Sequence, residues 1–187
     1  FFINPGLTPG NELNSLGVKN NFNYSNKILI IGSLIFFYLL PFFKNFSDNF
    51  YLKNINIKEL IFLIFFVFLN IIFFNYQLSF TGGGIFFKSS NFLFQNNILF
   101  YFICFYAMPV VYLTLIKKRK IDNIILILIL ILANPQLSIY HKYYDPLLIF
   151  LFLTIFDLDF KKNYFVFSNI FLLNLFYVGF LFLNFIK

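Results

Sequence analysis

From Asn97 to Ile116 the chain runs twenty residues without a charge, and from Tyr164 to Phe185 it does so again. A helix needs about 20 apolar residues, rising about 1.5 Å each, to cross a bilayer. Both runs meet that length. Four shorter apolar runs accompany them, Lys27 to Phe43, Leu60 to Phe74, Ile121 to Ala133 and Pro146 to Phe156. The pattern predicts an all-α, polytopic transmembrane helix bundle of about six spans forming one domain. The two shortest runs fit either as tilted helices extended through their polar flanks or as a broken pair around residues 134–145. For Ile124 to Leu132 alone a buried β-strand is a rival, since the run has no polar face. One strand cannot hide the rest: with 34 Phe in 187 residues, 60% hydrophobic and 11% charged, the apolar surface exceeds what a water-soluble core of this size encloses.

The formal charge of +7 is not that of a nucleic-acid binder, because the bases fall between apolar runs instead of lining a solvated face. Sorted by loop, Lys44, Lys53, Lys58, Lys117, Lys118, Arg119, Lys120, Lys161 and Lys162 make nine on one side. Lys19, Lys27, Lys88, Lys142 and Lys187 make five on the other. The positive-inside rule puts the larger set in the cytoplasm, with residues 1–26 and the loops around Gly83 and His141 outside. That orientation fits a bacterial inner membrane. The basic cluster at Lys117 to Lys120 also suits anionic lipid headgroups. The opening Phe1-Phe2-Ile3-Asn4-Pro5-Gly6 has neither Met nor a charged start, so the sequence is expected to begin within a longer protein. Cys104 stands alone in an apolar run and reads as a small core residue, and no metal site or cofactor is expected.

The only His lies in the segment from Asn134-Pro135 to Asp145-Pro146. Its first proline stops a helix, and Asp145 followed by Pro146 is a helix start. Between these marks His141 and Lys142 can bind phosphate, while Tyr143 and Tyr144, with Tyr140, can stack on a sugar; Asp145 would hold the loop. The same residues also read as an aromatic belt with a snorkelling lysine at a membrane boundary.

The run Tyr140-His141-Lys142-Tyr143-Tyr144-Asp145-Pro146-Leu147-Leu148-Ile149-Phe150 resembles the basic-aromatic-x-x-Pro step that opens a late transmembrane helix in GT-C type glycosyltransferases. The resemblance covers about 30 residues. It implies a polytopic enzyme that uses a polyprenyl-phosphate sugar, with Lys142 or His141 facing the lipid-linked phosphate. Such enzymes carry a catalytic acid in the first external loop. Here Glu12 is the only acid in residues 1–26 and matches no such motif, so the resemblance implies the C-terminal part of the enzyme.

Thr81-Gly82-Gly83-Gly84 precedes Lys88-Ser89-Ser90 but lacks the order of a P-loop, and it reads as a flexible external turn. The whole stretch from Asn75 to Gln95 reads as a loop resting on the membrane. Asn23-Tyr24-Ser25 fits a glycosylation acceptor by pattern alone. Asn70, Asn169 and Asn174 are expected to make interhelical hydrogen bonds. No acid or base lies deep in a span, which counts against an ion-coupled transporter. Three functions remain open: a glycosyltransferase acting on a lipid-linked donor, a transporter or lipid flippase, and a membrane accessory subunit without enzyme activity. All three have membrane lipid as a partner.

Overall fold

The protein's structure, a computed structural model, describes residues 23–40, 55–76, 82–117, 121–132 and 154–156. It also describes Ile139, Tyr144, Leu147, Leu148, Phe150, Leu151, Phe171, Leu175 and Val178. Among the described residues the regular structure is helical, with no strand, including the stretch from Ile124. The described residues include five continuous α-helices, in order α1 (Tyr24–Leu39), α2 (Ile57–Ile72), α3 (Gly84–Phe94), α4 (Ile98–Val111) and α5 (Ile121–Leu132).

Polar residues set where the helices begin. The Asn23 side chain accepts a hydrogen bond from Asn26 N at 3.1 Å, which caps α1 and starts it at Tyr24, three residues before the run read from Lys27. At α2, Asn56 accepts from Lys58 N while Glu59 Oε2 accepts from Asn56 N at 3.3 Å, completing a capping box. α4 continues into a π-helical turn, Tyr112–Ile116, closed by Lys117 N donating to Tyr112 O at 2.8 Å. Pro109 lies one turn earlier, inside the helix. It has no amide proton, so the carbonyl of Phe105 loses its usual partner, and a widened turn nearby relieves the ladder.

α1 is the central element. Every residue from Leu29 to Leu39 is buried, with α2, α3, α4 and α5 packed around it. α4 lies close along it: a Cβ on Gly32 would stand 2.5 Å from Met108 Cε, and Cys104 Sγ is 3.8 Å from Leu29 O. Small residues at a helix crossing let the backbones approach. Cys104 is fully buried.

Hydrogen bonds fix the directions. Asn23, at the start of α1, reaches Phe73 and Asn75 beyond the end of α2. Lys117, after α4, pairs with Glu59 in the first turn of α2, and Asn123, early in α5, donates to Leu115 O. α1 and α4 therefore run from an asparagine end to a lysine end, and α2 and α5 run back.

The outside of this bundle is apolar. In α2 only Leu63, Val67 and Asn70 are buried, one stripe at helical spacing. Its remaining faces leave Ile57, Ile61, Phe62, Phe65, Phe68 and Ile72 exposed. A surface helix in water would carry polar residues there. Asn26, Lys27, Ser33, Asn70, Ser90 and Asn123 are instead among the buried residues.

Several sequence expectations are corrected. Of the described helices only Ile98–Ile116, 19 residues with mean hydropathy 2.1, is long and apolar enough to cross a membrane, so six full spans are not formed by the described residues. α1 and α5 are apolar but only 16 and 12 residues long. The stretch from Asn75 to Gln95 is not a loop throughout, because Gly84–Phe94 is helical with Phe87 and Ser90 turned inward. Residues 24–26, read as the end of a loop, instead form the first turn of α1, which Asn23 caps. Lys27, counted among external loop charges, sits in the first turn of α1 with 2% of its surface exposed.

Candidate functional site

At the asparagine end three amides lock together. Asn75 Oδ1 accepts from Asn23 Nδ2 at 2.6 Å and from Asn26 Nδ2 at 3.0 Å, and Asn75 N donates to Asn26 Oδ1 at 3.0 Å. Asn23 Nδ2 also donates to Phe73 O at 3.1 Å. The start of α1 is thereby tied to the chain leaving α2. Beside this cluster the Lys27 ammonium lies 5.7 Å from the centre of the Tyr24 ring. That separation is within the range of a cation–π contact.

Tyr76 follows directly and carries the next link. Its ring packs edge-on against Phe87 at 5.2 Å, and its hydroxyl accepts a hydrogen bond from Ile139 N at 3.1 Å. The Ile139 carbonyl in turn accepts from Gly83 N at 2.8 Å. Ile139 is thus held through both of its backbone polar groups, and it is fully buried. The glycines make this approach possible. Gly82 has φ +119°, and a Cβ there would stand 2.4 Å from Ile139 O. Gly84, at φ +76°, sits over Leu34 and Ile30 of α1.

The glycine-rich turn therefore has a structural task. Its Gly83 amide, which the sequence alone leaves available to a phosphate, is spent on the Ile139 carbonyl, and α3 begins at Gly84, not at Lys88. The two segments singled out in the sequence meet here, since Ile139 precedes His141 by two residues. Tyr144, on the far side of His141, is helical and buried with 6% of its surface exposed. His141, Lys142, Tyr143 and Asp145 lie outside the described residues. What the structure supplies is the seating of the residues on either side of them.

Buried polar groups elsewhere turn onto backbone carbonyls. Ser33 Oγ donates to Ile30 O at 2.7 Å, and Asn70 Nδ2 to Phe66 O at 2.8 Å. Asn70 therefore bonds within its own helix and not across to a neighbour; Asn169 and Asn174 lie outside the described residues. An interhelical amide is supplied by Asn123, whose Nδ2 donates to Leu115 O at 3.1 Å. Sequence reasoning missed it because it sits at the polar start of an apolar run.

At the lysine end Lys117 Nζ is 2.8 Å from Glu59 Oε2. That hydrogen bond holds the Glu59 carboxyl below the usual carboxylate range against the opposing effect of burial. Among the described residues no three His, Cys, Asp or Glu side chains gather as metal ligands would. No protein-family model, no curated protein and no solved structure matches this chain.

Proposed function

We propose that this chain is a membrane-embedded helical bundle that presents the His141 segment on its external side, in the inner membrane of a bacterium, as a binding site for a lipid-linked sugar phosphate. The activity proposed is glycosyl transfer from that donor. Supporting the membrane part is the polarity of the bundle, in which Ile61, Phe62, Phe65 and Phe68 face outward while Asn26, Ser33, Asn70 and Asn123 are buried. In water this arrangement leaves a large apolar surface exposed; in lipid it costs little. Lys58 and Lys117 share one end, as the sorting of loop charges requires if that end is cytoplasmic.

The observation that carries the functional part is the double anchoring of Ile139 by Tyr76 and Gly83. A catalytic or binding loop needs rigid supports so that its side chains meet the substrate without paying to become ordered. Ile139 fixed before His141, and Tyr144 buried after it, are supports of that kind. Within this reading Lys142 and His141 stabilise the negative charge that grows on the donor phosphate as the glycosidic bond breaks. Tyr143 orients the donor, the buried Tyr144 seats the segment, and Asp145 holds the loop. The described acids, Glu59 and Asp122, belong to the lysine end, so the carboxylate that such transfer requires is not among the described residues.

A conducting path has less support. Ser33, Asn70, Asn91 and Thr114 direct their donors to carbonyls three or four residues back in their own helices. The test is transfer activity in membranes carrying the protein and a labelled polyprenyl-phosphate sugar pool, with Lys142→Ala and His141→Ala at matched expression. A loss of about 100-fold in each is expected from removing a charge-stabilising donor. Full activity in both would return the segment to the aromatic belt.

A further inference from the structure

The chain leaves α2 and enters α4 at the same end of the bundle, where the rings of Phe74 and Phe100 lie 5.3 Å apart. Between those points it goes deep. Gly84, the first residue of α3, sits over Ile30 and Leu34, about 10 and 16 Å along α1 from the Asn23 cap. The Phe86 ring lies 6.0 Å from that of Phe36 and 5.8 Å from that of Phe37, deeper still. From there α3 climbs back. Ser90 Oγ donates to Asn96 O and accepts from Phe100 N, and Asn91 Nδ2 donates to Asn97 Oδ1 at 2.8 Å. Ile98–Ile116 rises about 28 Å, so Gly84 stands near the middle of the described helix that is long enough to span. α3 rises about 15 Å, the half-thickness of a hydrocarbon core. Irregular backbone at such a depth needs shelter from lipid, and Gly82, Gly83 and Ile139 are buried.

The exposed faces differ in kind. Along α2, α4 and α5 the residues exposed beyond the first turn are aliphatic or aromatic, among them Phe65, Phe68, Phe102 and Leu128. On α3 Lys88 is exposed, about 6 Å above Gly84 and about 9 Å below Phe94. Among the described residues it is the exposed charge that lies away from the lysine end. The order along α3 is the reverse of a helix resting in lipid: Lys88 and the partly exposed Ser89 lie deeper, while the exposed Phe92, Leu93 and Phe94 lie at the outer end. A charge facing hydrocarbon is disfavoured, and a lysine at such depth turns to the bundle interior or to water. Lys88 is not in the interior. We propose that α3 is a re-entrant half-helix whose Lys88 side is wetted from the asparagine end, making a polar inlet through the outer leaflet toward the seat of Ile139. With Phe92 and Leu93 at its mouth, the inlet suits an amphiphile that enters by its polar head and leaves its chain in lipid. The proposal rests on the membrane reading and adds to the proposed function a route for the lipid-linked donor.

The experiment places single new cysteines in the full chain, held in lipid nanodiscs, at Ile85, Lys88, Ser89, Phe92 and, on α4, the half-exposed Tyr106. Bimane attached at Tyr106→Cys should be quenched by a lipid carrying its nitroxide at the bilayer midplane. No quenching there overturns the membrane reading and this proposal with it. Given that quenching, bimane at Ile85→Cys should respond most to the midplane nitroxide and bimane at Phe92→Cys to a headgroup nitroxide. Equal response of the two to the headgroup nitroxide would lay α3 flat on the surface and overturn the proposal alone. A charged maleimide should label Lys88→Cys about tenfold faster than Tyr106→Cys, because the reacting thiolate forms in water and not in hydrocarbon. Equal, slow labelling would turn Lys88 to lipid and overturn the inlet. Polyprenyl phosphate added to the discs should slow labelling of Ser89→Cys severalfold, and unchanged labelling would overturn the assignment to an amphiphile. None of these readouts uses transfer activity, so the inlet and the proposed enzyme stand or fall separately.

Discussion

Replacing Gly82 by Ala attacks the joint on which the candidate site rests. The added Cβ would stand 2.4 Å from Ile139 O, 2.8 Å from Ile139 C and 3.0 Å from the Tyr76 hydroxyl, at a backbone φ of +119°. Two of those neighbours are backbone atoms, which cannot swing aside as a side-chain end can. Holding an L-residue at that φ costs about 1–3 kcal/mol. Separating Ile139 from Gly83 forfeits a hydrogen bond of about 0.5–1.5 kcal/mol net. The sum, about 1.5–4.5 kcal/mol, is large against ordinary domain stability. Gly32→Ala is the control, because its Cβ meets only the flexible end of Met108, and alanine in a helix regains about 1 kcal/mol over glycine. Reversible unfolding in mixed micelles should therefore separate the two variants. Amide exchange at Gly83 and Ile139 should accelerate in Gly82→Ala and stay near wild type in Gly32→Ala. A Gly82→Ala protein within about 0.5 kcal/mol of wild type, with both amides still protected, would refute the argument that close backbone approach requires glycine there.

Two further outcomes follow from the polar contacts at each end. Asn75→Ala removes the acceptor shared by Asn23 and Asn26 and should destabilise the bundle by about 1–3 kcal/mol in the same unfolding assay, since Asn26 is buried. At the lysine end the pairing depresses the Glu59 pKa in the folded state, so its contribution is present above the ordinary carboxylate range and is lost as pH falls through the depressed value. The unfolding midpoints of wild type and Glu59→Gln should accordingly differ at neutral pH and converge below about pH 4. A difference that grows on acidification would contradict the pairing.

The helical class was legible in the sequence because charge-free runs of such length leave the backbone few other ways to satisfy its hydrogen bonds. The helix starts were less so. Reading each helix from its first apolar residue placed α2 at Leu60, although Asn56 and Glu59 spell a capping box in the sequence itself. α1 was missed by three residues for the same reason, its first turn being polar. α3 was hidden because Gly82 to Gly84 and Lys88 to Ser90 look like a turn. Phe87 and Ser90 nevertheless fall three residues apart on one face, and Ser90 Oγ donates to Asn96 O and accepts from Phe100 N, linking α3 to α4. At the site, the sequence marked both the glycine turn and the His141 segment but could not join them. Tyr76 and Ile139 are 63 residues apart, and no local pattern announces such a pairing. The buried position of Lys27 was equally invisible, since a lysine at the edge of an apolar run ordinarily snorkels to water.

The central claim is that the bundle sits in a membrane with its asparagine end outside. Its most direct test uses the chain's single cysteine as an internal control, because Cys104 is fully buried and should resist labelling. New cysteines at two exposed positions, Lys88→Cys in α3, which the sorting of loop charges puts outside, and Lys58→Cys at the lysine end, are exposed in intact cells to a membrane-impermeant maleimide. The account predicts that Lys88→Cys reacts at once, while Lys58→Cys reacts only after the cells are permeabilised. Equal labelling of both from outside, or labelling of Lys58→Cys alone, would contradict it.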